Sequence, residues 1–173
     1  MATAKNRILL KKGDVLRLCR EPAPGPAGEW RITGYVGEGG SAVCYSAAHQ
    51  GKTGRLKEFY PADTTLGTQE YFFFLTRTPR RQLVPVGEGM RRRFEAMCDD
   101  FVAAYRALDA ARAADASNRL LNNYIPPCEV LYGFAEDGAR ASCYIWTPDD
   151  RTGQSFDSYL REVRRRPGRL PEH

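Results

Sequence analysis

Three glycines and one lysine are the residues of this sequence best suited to holding a phosphate. Gly37, Gly39 and Gly40 lie in the run GYVGEGGSAVCY, and Lys57 follows in GRLKEFY. Glycine has no Cβ to hold an anion off, so backbone amides can approach it, and a lysine ammonium on a neighbouring segment supplies the countercharge. The flanking residues indicate which elements position these groups. Ile32 and Tyr35 before the glycines, and Val43 and Tyr45 after them, belong to alternating apolar runs, so the loop reads as the tip of a β-hairpin. A third run, residues 54–59, carries Lys57 on a strand from which a cation reaches phosphates lying under the loop.

Two other phosphate-binding patterns overlap this stretch. Gly37, Gly39 and Ala42 fit G-x-G-x-x-G/A, with Glu58 near the place of a ribose-binding acid. That pattern has to open a helix, whereas residues 42–46 continue as a β-prone run. Gly51, Lys52 and Thr53 end like a P-loop, but Ser46 stands where its first glycine belongs. The tripeptide sits at a hairpin turn and reads as one.

The glycine hairpin followed by a lysine strand resembles the start of the protein kinase fold, most simply the bacterial serine/threonine type. Gly37-Glu38-Gly39 matches the first two loop glycines, Ala42 replaces the third, Cys44 replaces the usual valine, and Lys57 matches the strand lysine. The resemblance implies a site for ATP made of Val36, Gly37, Glu38, Gly39, Gly40, Ser41, Ala42, Cys44 and Lys57. Val36 and Cys44 would flank the base and Lys57 would pair the phosphates.

The rest of the chain takes its expected places from the same resemblance. Residues 90–114 place Phe94, Met97, Phe101, Ala104, Tyr105, Leu108 and Ala111 at spacings of three and four, an amphipathic helix. In kinases this helix carries a glutamate that pairs with the strand lysine. Here Ala104 or Met97 falls at that position, and Asp100 is the nearest acid to the stripe. Residues 129–134 and 139–146 read as a hairpin around Glu136-Asp137-Gly138. After it, residues 147–153 would form the hinge that meets adenine, with Trp146 or Thr147 as gatekeeper and Asp149 within the hinge. Residues 156–164 would then form a short helix.

The fold expected is therefore α+β: a twisted antiparallel sheet of about five strands with one long packed helix, plus short peripheral helices such as residues 118–123 behind a Ser117 cap. Residues 1–29 would supply a leading strand and a Pro/Gly linker, and residues 30–153 the lobe-like domain. An insertion around 61–88 includes the aromatic run 71–75, and residues 154–173 form the following helix and basic tail.

Composition narrows the classes. With 173 residues and 42% hydrophobic content the chain can bury one core. It has no apolar run of transmembrane length and no secretory h-region, which points away from a membrane and toward the cytoplasm. The five cysteines are widely spaced and read as reduced, buried hydrophobes rather than zinc ligands. The charge of +5 is concentrated in arginine runs on predicted helices, a pattern of solvated faces that argues against nucleic acid.

His-Arg-Asp, Asp-Phe-Gly and Ala-Pro-Glu are absent from the sequence. The resemblance thus implies an ATP-binding N-terminal lobe, with nucleotide and either a C-terminal kinase lobe or a protein substrate as partners. Catalysis and Mg2+ would come only with the missing lobe. The alternative is a pseudokinase-like interaction module, in which sheet and helix serve as scaffold.

Overall fold

A computed structural model of the chain describes residues 7–61, 75–115, 117 and 126–149. The expected aromatic run at 71–74, the helix at 118–123, the distal hinge at 150–153 and the helix at 156–164 lie outside the described residues.

Six antiparallel strands form the body of the protein: β1 (Val15–Cys19), β2 (Ala27–Glu38), β3 (Ala42–His49), β4 (Lys52–Phe59), β7 (Glu129–Phe134) and β8 (Arg140–Pro148). Their order is β1-β2-β3-β4-β8-β7, and β7 meets β1 to close a barrel. This corrects the expected α+β fold built on a twisted antiparallel sheet of about five strands: the sheet has six strands and is closed. The leading segment is itself a barrel strand, because its alternation puts Leu16 and Leu18 on the inner face, where both are fully buried. Burying such side chains contributes about 1.5–3 kcal/mol each. β1 pairs with β2 from Val15↔Arg31 to Cys19↔Ala27, and Cys19 then reaches Tyr132 on β7. Closure leaves the sheet no free edge strand.

The β3–β4 turn is Gln50-Gly51, with φ of 48° and 78°. Two consecutive positive φ values suit the right-handed twist of a tight hairpin, and so Gly51-Lys52-Thr53 is a turn. At Gly54 a side chain would run into the Thr147 carbonyl and the Trp146 ring, so glycine there lets β4 and β8 approach.

Alternation sorts the side chains into two clusters. Trp30, Ile32, Val43, Tyr45, Leu56, Leu131, Tyr144 and Trp146 fill the barrel. On the outside, Phe59, Tyr132 and Cys143 meet Phe94, Cys98 and Val102 of α1 (Glu88–Ala114). The β8 residues 141–146 are buried on both faces, between the barrel interior and the surroundings of α1, and this accounts for a run that is apolar but for Ser142, whose hydroxyl donates to the Phe59 carbonyl at 2.6 Å. The helix starts two residues earlier than its periodicity indicates. Its buried stripe is Phe94, Cys98 and Val102, with Met97 and Phe101 packed alongside, whereas Leu108 is 45% exposed. At 1.5 Å per residue the helix is about 40 Å long, and past Tyr105 its face is largely open to solvent. No helix among the described residues is long and apolar enough to cross a membrane.

A polar network caps one end of the barrel. A small hairpin, β5 (Leu75–Arg77) and β6 (Leu83–Pro85), delivers Arg77 to the inward-facing Glu58, with Nη2–Oε2 at 2.6 Å and Nη1–Oε1 at 2.8 Å. The Tyr144 hydroxyl donates to the same carboxylate at 3.0 Å, and the Tyr45 hydroxyl does so at 3.4 Å. Arg77 Nε also donates to the Ile8 carbonyl at 2.6 Å, tying the N-terminal segment to the hairpin. A buried ion pair is tolerated only when its remaining hydrogen-bonding capacity is met, as it is here. Burial alone would lower the pKa of Arg77, but the hydrogen bonds and charge of Glu58 outweigh it and hold the guanidinium protonated.

Candidate functional site

The glycine loop is a tight connection between β2 and β3. The Gly39 amide donates to the Ala42 carbonyl at 2.9 Å, and the Tyr60 amide donates to the Ser41 carbonyl at 3.0 Å. Pairing carries the geometry from the loop to the lysine. Cys44 lies directly opposite Lys57 across β3 and β4, so both side chains project from the outer wall, with Val43, Tyr45, Leu56 and Glu58 turned inward. On that wall the Lys57 ammonium donates to the Tyr105 hydroxyl of α1 at 3.1 Å and lies 5.4 Å from the centre of its ring.

The described residues line one cavity of about 400 Å³ and another of about 320 Å³, and the smaller one holds the expected chemistry. Gly37, Glu38, Gly39 and Ser41 form its loop side, and Ala42, Cys44 and Lys57 its strand side. Tyr105 closes it from the helix. The larger cavity lies around Val15, Gly28, Glu29 and His49, away from all the expected site residues. His49 is packed there, stacked on Trp30 with centroids 3.9 Å apart, its Nδ1 2.8 Å from the Glu29 carbonyl.

The other expected site residues separate. Gly40 belongs to the loop but does not line the cavity. Val36 sits in a β-bulge between Tyr35 and Gly37, is 45% exposed, and does not line it either. Trp146 is the cross-strand partner of Leu56 and points into the barrel, on the face opposite Lys57, so it is not placed as a gatekeeper. Ile145 is the residue opposite Lys57, and Thr147, half-buried opposite Arg55, shares that face. Thr147 and Pro148 extend β8 rather than opening a hinge, and Asp149 is exposed with its amide on the Thr53 carbonyl at 2.8 Å.

Two residues were not singled out from the sequence for this site. Tyr105 meets the lysine one position beyond Ala104, while Asp100 is exposed and Asp99 pairs with Arg140 at 2.9 Å. Arg7 holds the loop from the N-terminal side, with Nη2 on the Gly39 carbonyl at 2.9 Å and on the Tyr60 carbonyl at 2.6 Å. Its Nη1 meets Glu38 at 3.2 Å.

Glu38 is thus already paired, whereas Lys57 donates to an uncharged phenol, so the cavity presents a cation. Burial raises the pKa of the Cys44 thiol, and Lys57 and Arg55 offset part of that rise. Among the described residues no group of three or more His, Cys, Asp or Glu side chains is placed to hold a metal ion.

No protein-family model, curated protein or solved structure matches the chain.

Proposed function

We propose that the chain binds ATP in the cavity beneath the glycine loop and acts as the nucleotide-binding part of a serine/threonine protein kinase-like protein. The observation that carries this reading is the convergence of loop, Cys44 and Lys57 on one cavity of about 320 Å³, with Lys57 as its cation. The loop glycines add support. None of Gly37, Gly39 and Gly40 has a left-handed φ, and a Cβ at any of them would meet nothing within 4 Å. Folding therefore does not demand glycine there, whereas close approach of a ligand to the backbone does.

The cavity is at the small end of the range of about 300–1,000 Å³ for ligand sites, enough for the phosphates with the base only partly covered. Binding is accordingly weak, because little surface is buried to offset the cost of association. Phosphoryl transfer additionally needs metal-holding and hydroxyl-orienting groups, which on this reading come from another segment or a partner.

Calorimetric titration with Mg-ATP tests the proposal. Lys57→Ala should weaken binding about tenfold or more, as expected for loss of a charged contact, without lowering the unfolding midpoint. Equal binding by that variant, or phosphate transfer to a protein substrate that survives it, would sink the reading. The alternative of a pseudokinase-like scaffold is favoured by one observation, the phenol that meets Lys57 in place of a carboxylate. Absence of any ATP binding by the unaltered chain would select it.

A further inference from the structure

The peptide groups of the glycine loop are held in one orientation by a residue far from it in sequence. Arg7 Nη2 takes the carbonyls of Gly39 at 2.9 Å and Gly40 at 3.4 Å, and it also binds the Tyr60 carbonyl at 2.6 Å. The side chain is 5% exposed, and its guanidinium lies 5.3 Å from the Tyr60 ring centre. In a trans peptide the C=O and N–H point in opposite directions, and the described residues contain no cis bond. Fixing the Gly39 and Gly40 carbonyls on Arg7 therefore turns the amides of Gly40 and Ser41 away from it. Neither amide has a hydrogen-bond partner among the described residues.

We infer that Arg7 is a positioning residue for anion binding: by gripping two loop carbonyls it presents the amide of Ser41, which lines the cavity, and that of its neighbour Gly40, which does not, as a pair of donors for phosphate oxygens at the loop edge of the cavity. Two successive amides facing the same way make a concave anion site. A cation bonded to the carbonyl ends polarises the same peptides, which strengthens the N–H groups as donors. A guanidinium suits the task better than an ammonium, since its planar fork reaches Glu38 with one nitrogen and the loop carbonyls with the other. The inference deepens the nucleotide reading and rests on it for what carries the phosphate; the loop geometry itself asks only for the anion.

The test is an amide-resolved NMR titration of the full 15N-labelled chain with sodium tripolyphosphate and, separately, with ATP. Tripolyphosphate should move the Gly40 and Ser41 resonances most. Arg7→Gln should weaken that response about tenfold, and Arg7→Lys, which keeps the charge but not the fork, should weaken it by a smaller factor. The inference is overturned if either probe binds without moving those two amides, or if the Arg7 variants bind as the unaltered chain does. An Arg7-dependent response to tripolyphosphate, with ATP binding no tighter, would keep the inference and remove the nucleotide. ATP binding that leaves the two amides still would do the reverse, and silence with both probes would defeat both. If Arg7→Gln fails to fold, as loss of spectral dispersion would show, Arg7→Lys and the unaltered chain decide the matter.

Discussion

Lys57 and Tyr105 meet across the gap between β4 and α1, ammonium to hydroxyl at 3.1 Å, where the kinase resemblance calls for a carboxylate. A phenol holds the lysine in place without neutralising it. Tyr105→Phe removes the acceptor but keeps the ring that lies 5.4 Å from the ammonium. For so exposed a contact the change in unfolding free energy should stay below about 1 kcal/mol. ATP affinity should shift by less than it does in Lys57→Ala. Urea unfolding and calorimetry on both variants check this, and a larger effect from the phenylalanine would mean that the hydroxyl itself touches the ligand.

Cys44 and Cys128 are the free cysteines left partly accessible, the other three being buried. Burial raises the pKa of both thiols, so iodoacetamide should label them slowly at neutral pH and faster as the pH rises toward the thiol range. ATP should protect Cys44, which lines the cavity, more than Cys128, which does not. Mass spectrometry of labelled peptides provides the readout, and equal protection would place the nucleotide elsewhere.

Breaking the Glu58–Arg77 pair leaves a charge stranded in the barrel. Arg77→Met should cost about 3–5 kcal/mol, since the Glu58 carboxylate is fully buried and loses its bidentate partner. Denaturant unfolding measures it. A loss under about 1 kcal/mol would mean that water replaces the guanidinium.

Burial pushes the hydroxyls of Tyr45 and Tyr144 above the ordinary 10.0, and the neighbouring Glu58 carboxylate adds to the rise. Above that pH the unfolded chain releases these protons while the folded chain keeps them, so stability is present below it and falls as pH rises beyond. The slope should be about 1.4 kcal/mol per pH unit for each tyrosine. Unfolding curves between about pH 8 and about pH 11 should show it, and Tyr144→Phe should be less steep than the unaltered chain.

The helix face offers a direct contrast. Phe94 is fully buried against Phe59, with ring centres 5.6 Å apart, and Phe94→Ala should cost about 3–5 kcal/mol. Leu108→Ala, at an exposed position of the same periodic stripe, should change stability by no more than about 0.5 kcal/mol. Matching losses would show that the far half of α1 is covered in solution.

What the sequence disclosed was local. The hairpin around Gly39, the strand placement of Lys57 and the helix containing Phe94 each follow from a period read over a few residues. Trp146 was ambiguous because β8 is buried on both faces, which erases the alternation that would tell inside from outside. Tyr105 is not an acid, so the glutamate position that the resemblance implies does not point to it. Arg7 and the barrel closure at Cys19 and Tyr132 depend on contacts between distant parts of the chain, for which no local pattern exists.

That closure bears on how the molecule is made. Cys19 opposite Tyr132 is the single register pair joining β1 to β7, and its two halves come from nearly opposite ends of the described sequence. A contact of such long range carries the largest loop-closure entropy, so the seam forms late, after the β2–β3–β4 meander has assembled. On the ribosome, β1 therefore waits with one unpaired edge until β7 emerges, and a chain halted in between exposes a strand ready to pair with its neighbours.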